Sequence, residues 1–372
     1  MITPQTENEV SEFLANTDKS VRIVGGGTRQ GLGNYVEPEV KLSTSGLTGI
    51  TLLEPAALTL VVRAGTPLVE VQEALAAENQ QLPFEPMDHT SLLGTQGVST
   101  IGGVVACNIS GSRRIQTGAC RDSLIGVRFV DGMGTIVKNG GRVMKNVTGY
   151  DLVKLMAGSY GTLGVMTELS FKLLPKPEAS ATITLHGLSD SDGIAALCRA
   201  LGSPNDVNGA AHLDGKTFIR IEGFKGSIAY RSEALKSLFS DSEVTVETNL
   251  DNNSKLWKSV GDVDIFAKIK TSIWRLSVKP TKGPEIVEHL HNAGIELEAQ
   301  YDWGGGLVYL SVADDINIRD YLVEMQGHAT LVRGNGGGAA AMPIQNKLVT
   351  EIEAGLRAKF DPREVLNKGI MG

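Results

Sequence analysis

The chain has 372 residues, of which 41% are hydrophobic and 21% charged, and a formal net charge of −7. This globular, acidic composition excludes a low-complexity or collagen-like chain. With only 5% aromatic residues and no basic cluster, it also excludes a nucleic-acid-binding surface. The length predicts two domains. Three widely spaced cysteines, Cys107, Cys120 and Cys198, fit a reducing compartment and supply neither a zinc nor an iron–sulfur site. Residues 1–14 lack a signal pattern, and no apolar run reaches the roughly 18 residues of a membrane span. The expected location is cytoplasmic, with peripheral contact to an inner membrane only through partners.

In chain order, Thr3-Pro4 or the capping box Thr6-x-x-Glu9 starts a helix to about Asn16. Val10, Phe13 and Leu14 lie on its inner face. A strand at 21–24 follows, then the loop VGGGTRQGLG. A Rossmann reading of this loop fails. Gln30 stands where GxGxxG needs its third glycine, and the chain continues into a strand at 40–43 instead of a helix. Strands at 50–53 and 58–64 pair, and Thr66-Pro67 opens a helix ending near Asn79.

Residues 94–111 hold five glycines and four hydroxyl residues, and no charged side chain occurs from Thr90 to Ser112. Such a stretch suits backbone pressed against a ligand, its free N–H groups and hydroxyls meeting phosphate or carbonyl oxygens. The plainer alternative is a tight buried turn between strands. Strands at 124–130 and 135–138 form a hairpin, and a short helix spans 152–157. The third glycine loop, GSYGTLGV at 158–165, precedes a strand at 166–174, and Pro175-Lys176-Pro177 marks a boundary.

Beyond it the order repeats. Strand 181–186, helix 190–201, strands 209–213 and 217–222, helix 228–239 and strand 243–247 make one round. Strand 272–278, helix 284–293, strands 296–301 and 307–312, helix 317–325 and strand 329–332 make the second. These are two ferredoxin-like βαββαβ units. A helix over 342–360 and the tail FDPREVLNKGIMG close the chain.

The run Arg22–Gly27, residues 58–67, Thr100-Ile101-Gly102-Gly103, Asn108, Gly111 and GSYGTLGV resemble the p-cresol methylhydroxylase (PCMH)-type FAD-binding domain of the vanillyl-alcohol oxidase superfamily. Length, the VKLMAGSYGTLGV run, Trp274-Arg275-Leu276-Ser277 and FDPREVLN make the whole chain similar to the glycolate oxidase FAD-binding subunits. The resemblance implies an α+β fold with a PCMH-type FAD-binding domain of two α+β subdomains over 1–177. A cap with an antiparallel sheet and the two βαββαβ units covers 178–341, and a helix and tail at 342–372 return to the first domain.

Its implied cofactor is FAD. Gly25, Gly26, Gly27, Thr28 and Arg29 would wrap the pyrophosphate, and Gly97, Thr100, Gly102 and Gly103 would meet it and the flavin from the other side. Asn108 and Gly111 would lie beside the ring. Gly161, Gly164 and Val165 would contact adenine, ribose or the flavin edge. Thr28-Arg29 stands where some relatives carry a flavin-linked histidine, so non-covalent FAD is expected. The tail reads Asn367-Lys368-Gly369 in place of Asn-Pro-Gly-Lys, which argues against a role for it at the flavin. The implied reaction is oxidation of glycolate or another small 2-hydroxy acid, with electrons passing to an iron–sulfur subunit. Hydroxy-acid-oxidising relatives hold a metal through an HGDGNxH-like segment; here Gly334–Gly338 has no histidine, so no metal is expected. The alternative is an electron-relay or scaffolding subunit beside a catalytic flavin sister subunit.

No catalytic residue is singled out. Arg275, beside Trp274, is either a receiver for a substrate carboxylate or an outward sheet-edge arginine. Lys145 is either a flavin-stabilising charge or a surface lysine. His89 reads as a loop hydrogen-bonder before a proton acceptor, and His289 with His291 diverge by about 200° on a helix and cannot share a metal. Cys107, Tyr150 and Trp303 read as packing residues.

Overall fold

The computed structural model describes residues 1–141, 149–322 and 327–372, so Lys145 lies outside it. Helix Glu7–Asn16 starts at Thr6, whose hydroxyl accepts the Glu9 N–H at 3.2 Å. Val10 and Leu14, one turn apart, are fully buried and pack on Val21, Leu42, Val130 and Val165. Strands Val21–Val24 and Val40–Ser43 pair in parallel, joined by the first glycine loop. A five-stranded antiparallel sheet runs in the order Ile50–Glu54, Thr59–Arg63, Val165–Lys172, Leu124–Val130, Ile136–Gly140. Helix Leu68–Ala77 buries Leu68, Val71 and Leu75 in the core below it.

The second half is built on one eight-stranded sheet. Strands Val244–Glu247, Ala179–His186, Lys216–Gly223 and Val207–Leu213 are followed by Leu297–Asp302, Leu307–Val312, Ser272–Val278 and Gly327–Arg333. Each set of four has the ferredoxin-like order 4-1-3-2 expected of a βαββαβ unit. Among the described residues the strands of the two units pair at two positions, His212 with Tyr301 and Leu213 with Gln300, and the units share one apolar layer.

Several elements differ from expectation, two of them in the second half. The helix expected at 317–325 is a 3-10 turn, Ile318–Tyr321, within the described residues. Helix Leu250–Asp262 was not foreseen. Asn249 caps it, accepting N–H bonds from Asp251 and Asn252 at 3.0 Å. Its Trp257 and Val260 pack on Ala211 and Phe218. Trp257 sits where a Cβ on Gly209 would approach the ring to 2.8 Å, so only glycine admits it there.

Alternation along the sheet gives it two apolar faces. Trp274, Leu276, Val308 and Leu310 face its helices, while Ile273, Leu307, Tyr309 and Val332 pack on Leu32, Met87 and Leu92 of the first half. The closing helix, Lys347–Phe360, leads into a tail that returns to the first strand: the Val21 N–H donates to the Val365 carbonyl at 2.7 Å.

Candidate functional site

Three glycine-bearing segments line one cleft. The first contributes Arg22 to Gln30, the second Thr100, Gly102, Gly103, Ala106 and Cys107, and the third Tyr160, Gly161 and Gly164. They converge because glycine lets their backbones touch. A Cβ on Gly25 would stand 2.3 Å from the Thr100 hydroxyl oxygen, and one on Gly102 would stand 2.6 Å from the Ala64 carbonyl oxygen. Residues Ile101–Ala106 form a short helix, where the sequence suggested a loop or turn. Its first N–H groups are already spent on Thr66, Ala64 and the Thr100 hydroxyl, so it has none to offer a ligand.

The donors lie in the first loop. Among the described residues, none accepts a hydrogen bond from the N–H of Gly26, Gly27, Thr28 or Arg29. Gly27 has φ +81°, the left-handed turn that bends the chain around the cleft. Arg29 is braced by bonds to Ser99 Oγ at 2.8 Å and the Met87 carbonyl at 2.9 Å, while its buried Nε has no partner. Burial lowers the pKa of both Arg29 and Arg22, which line the cleft with the hydroxyls of Thr28, Thr44 and Thr100. Among the described residues no carboxylate is in that lining. Two guanidiniums, free N–H groups and hydroxyls, with no acid among them, fit the pyrophosphate of a dinucleotide.

Not every expected residue reaches this cleft. Val165 opens its strand and is fully buried against Val10, Leu14 and Val130; by alternation its neighbour Met166 lines the cleft instead. Asn108 accepts the Arg121 N–H on its Oδ1 at 3.0 Å and holds φ +50°. Gly97 and Gly111 border a second space, a groove between the halves. Trp274 is fully exposure-free on the helix side of its sheet, so it cannot meet a substrate, whereas Arg275, the next residue, is on the side facing the first half. The tail does reach the cleft, through Asn367 and Ile370. Asn367 ties the pieces together: its Oδ1 accepts the Ile23 N–H at 2.8 Å and its amide donates to the Tyr160 carbonyl at 2.6 Å.

Cys107, read as packing, lines the cleft, and burial pushes its thiol up to about 11. His89 is buried beside the cleft; desolvation and then Arg29 lower its pKa to about 3, which keeps it neutral. His289 and His291 are exposed on either side of buried Leu290.

The groove floor holds a charge network that sequence reading missed. Glu85 pairs with Arg113 at 3.0 Å and Arg220 at 2.9 Å, and Arg113 pairs with Glu222 at 2.5 Å. Burial raises the Glu85 pKa, but Arg220 and Arg113 outweigh it and hold the carboxyl at about 2. Alongside, the Ser112 hydroxyl donates to Asp302 Oδ2 at 2.7 Å, and burial raises the Asp302 pKa to about 7. Apart from Glu85 with Arg113, 28 positions apart, these pairs join residues more than a hundred positions apart, which no local spacing reveals.

The fold and this cleft define a flavoprotein with a PCMH-type FAD-binding domain. Residues 1–140 match the family model described as an FAD binding domain. Over 325 residues the chain is 34% identical to glycolate oxidase subunit GlcE of Escherichia coli (strain K12), spanning 87% of this chain and 84% of that protein. It is 28% identical over 424 residues to glycolate oxidase subunit GlcD of Bacillus subtilis (strain 168), spanning 100% and 88%. Among solved structures, alkyldihydroxyacetonephosphate synthase superposes with a TM-score of 0.69 at 14% identity, over 98% of this chain and 76% of that one. The chain belongs to the glycolate oxidase flavin-subunit family, and FAD is its cofactor.

Proposed function

We propose that this chain is the FAD-bearing subunit of an assembly that oxidises glycolate, or a close 2-hydroxy acid, to the 2-oxo acid. Bound FAD supplies the two-electron acceptor; the chain's own residues hold and orient it. The observation carrying this reading is the acid-free donor set formed by Arg22, Arg29 and the N–H groups from Gly26 to Arg29. Gly25, Gly26, Gly27, Thr28 and Arg29 take the pyrophosphate, with Thr100, Gly102 and Gly103 across from them and Gly161 and Gly164 closing the far wall. FAD is held non-covalently in this reading, because Thr28-Arg29 stands where some relatives carry a flavin-linked histidine. Residues 1–177 form the FAD-binding domain, 178–341 the cap, and 342–372 the helix and tail that return to the first domain.

The partners in this reading are a catalytic flavin sister subunit and an iron–sulfur subunit. No described helix is long and apolar enough to cross a membrane; in this reading any membrane contact runs through those partners. A second reading, in which this chain relays electrons or braces the sister subunit, is favoured by Gly334–Gly338, where hydroxy-acid-oxidising relatives carry metal-binding histidines. An absorbance spectrum of the purified chain tests the first point: bands near roughly 370 and 450 nm, released to the supernatant by acid, mark non-covalent flavin. Glycolate added to the chain alone separates the readings. Bleaching supports oxidation by this subunit; bleaching only with the sister subunit present supports the relay.

A further inference from the structure

The face of the cap sheet that packs on the first half carries an arginine without an acidic partner. Arg275 stands opposite Tyr309 and Thr330 in the sheet register. A second such arginine comes from the first half: Arg114 opens the short helix Arg114–Thr117. Their Cζ atoms lie 5.3 and 4.3 Å from the centroid of the same Trp303 ring. Among the described residues neither guanidinium has an ion pair, while nearby Arg113 and Arg220 are both paired with Glu85 and Glu222.

Trp303 is held in an unusual way. Its φ is +53°, rare for a bulky residue, and Gly304 and Gly305 follow at +68° and +101°. Its indole N–H donates to the Gly111 carbonyl at 3.0 Å, fixing the ring across the junction of the halves. Burial and the charge of Arg275 both weaken the ionisation of Arg114. Two like charges converge on one ring without a carboxylate in ion-pair contact among the described residues, Asp122 acting on Arg114 only at longer range, an arrangement that a bound anion relieves.

The surroundings set the size and type of anion. Trp303 and Tyr309 belong to the same contact cluster as Cys107 and Tyr160, and the latter two line the FAD cleft. The arginines are therefore neighbours of the cofactor site. Planar guanidiniums recognise planar oxyanions by paired N–H bonds, which favours a carboxylate.

We propose that Arg114 and Arg275, stacked against Trp303, form a receiving site for the carboxylate of a small organic acid, one guanidinium from each half of the chain. The site rests on the reading above only for the identity of the acid. Because the two cations come from different halves, the acid bridges the cap and the FAD-binding part.

The test is calorimetric titration of oxalate, which cannot be oxidised by hydride removal, into the FAD-loaded protein and its Arg114→Met and Arg275→Met variants. Oxalate is expected to bind, each variant to weaken it at least about tenfold, and flavin content and melting temperature to stay unchanged. Should a methionine variant lose flavin or fail to fold, Arg114→Lys and Arg275→Lys replace it; each keeps the charge, loses the paired geometry, and is expected to weaken oxalate by a smaller factor. Oxalate that does not bind, or binds equally to all variants, overturns the site. A protein that binds oxalate through both arginines yet is never reduced by glycolate, with or without a sister subunit, keeps the site and loses the glycolate reading.

Discussion

The Val98 carbonyl oxygen occupies the place where a Cβ on Gly26 would stand, at 1.6 Å from it. Two loops more than seventy residues apart are thus in backbone contact at the head of the FAD cleft. Gly26→Ala is expected to push them apart and to abolish FAD retention, read as the ratio of absorbance near roughly 450 nm to that at about 280 nm. Gly226→Ala, where a Cβ meets open space, serves as the control and should retain FAD fully.

Arg29 is the guanidinium best placed to meet the cofactor's negative charge, since Ser99 and Met87 hold it and its Nε is unpartnered. Arg29→Met should weaken FAD by about 10- to 100-fold, the range of about 1.5–3 kcal/mol for hydrogen bonds to charged groups. Fluorescence titration of the apoprotein with FAD measures it; an unchanged Kd would place the pyrophosphate elsewhere.

Asn367 joins the tail, the first strand and the third glycine loop by two side-chain bonds. Asn367→Ala leaves the Ile23 N–H and the Tyr160 carbonyl without these partners and should cost about 1–3 kcal/mol, seen in urea denaturation. FAD affinity should fall with it, because both partners flank the cleft.

The junction charges predict opposite pH behaviour. Glu85, held at about 2 against an ordinary 4.5, contributes stability that is present above about pH 4.5 and is lost as pH falls toward 2. Asp302, raised to about 7 from 3.8, keeps a proton in the folded state that the unfolded chain releases, so its contribution declines as pH rises from about 4 to 7. Asp302→Asn should remove that decline. Melting curves for wild type and variant that stay parallel from pH 5 to 7 would contradict the assignment.

Gly355 lies in helix Lys347–Phe360 with nothing within 4 Å of its would-be Cβ and no positive φ. Gly355→Ala is expected to stabilise the protein by about 0.5–1 kcal/mol, detectable as a raised midpoint in urea.

What the sequence revealed depended on range. The three glycine-rich segments announced a common cleft because close backbone approach needs glycine, and glycine content is a local property. Helix Asp190–Leu201 and strands Ser272–Val278 and Leu307–Val312 were legible to the residue from their periodicity. Helix Leu250–Asp262 was missed although its signals are local: Asn249 is a cap, and Asn253, Trp257 and Val260 recur at helical spacing on its buried face. Trp274 and Arg275 were misjudged as a pair because adjacent residues of a strand point to opposite faces. Arg114, Trp303 and the Glu85 network depend on which half meets which, and no spacing within either half encodes that.

The two-pair junction within the eight-stranded sheet has a mechanical consequence. Backbone ladders are directional and resist sliding, whereas the apolar layer shared by the two four-stranded units is not. The line of least resistance in the cap therefore runs between Leu213 and Gln300. Arg220 lies on one side of that line and Arg275 with Trp303 on the other, so the unit anchored to Glu85 can stay fixed while the unit bearing Arg275 and Trp303 shifts against Arg114.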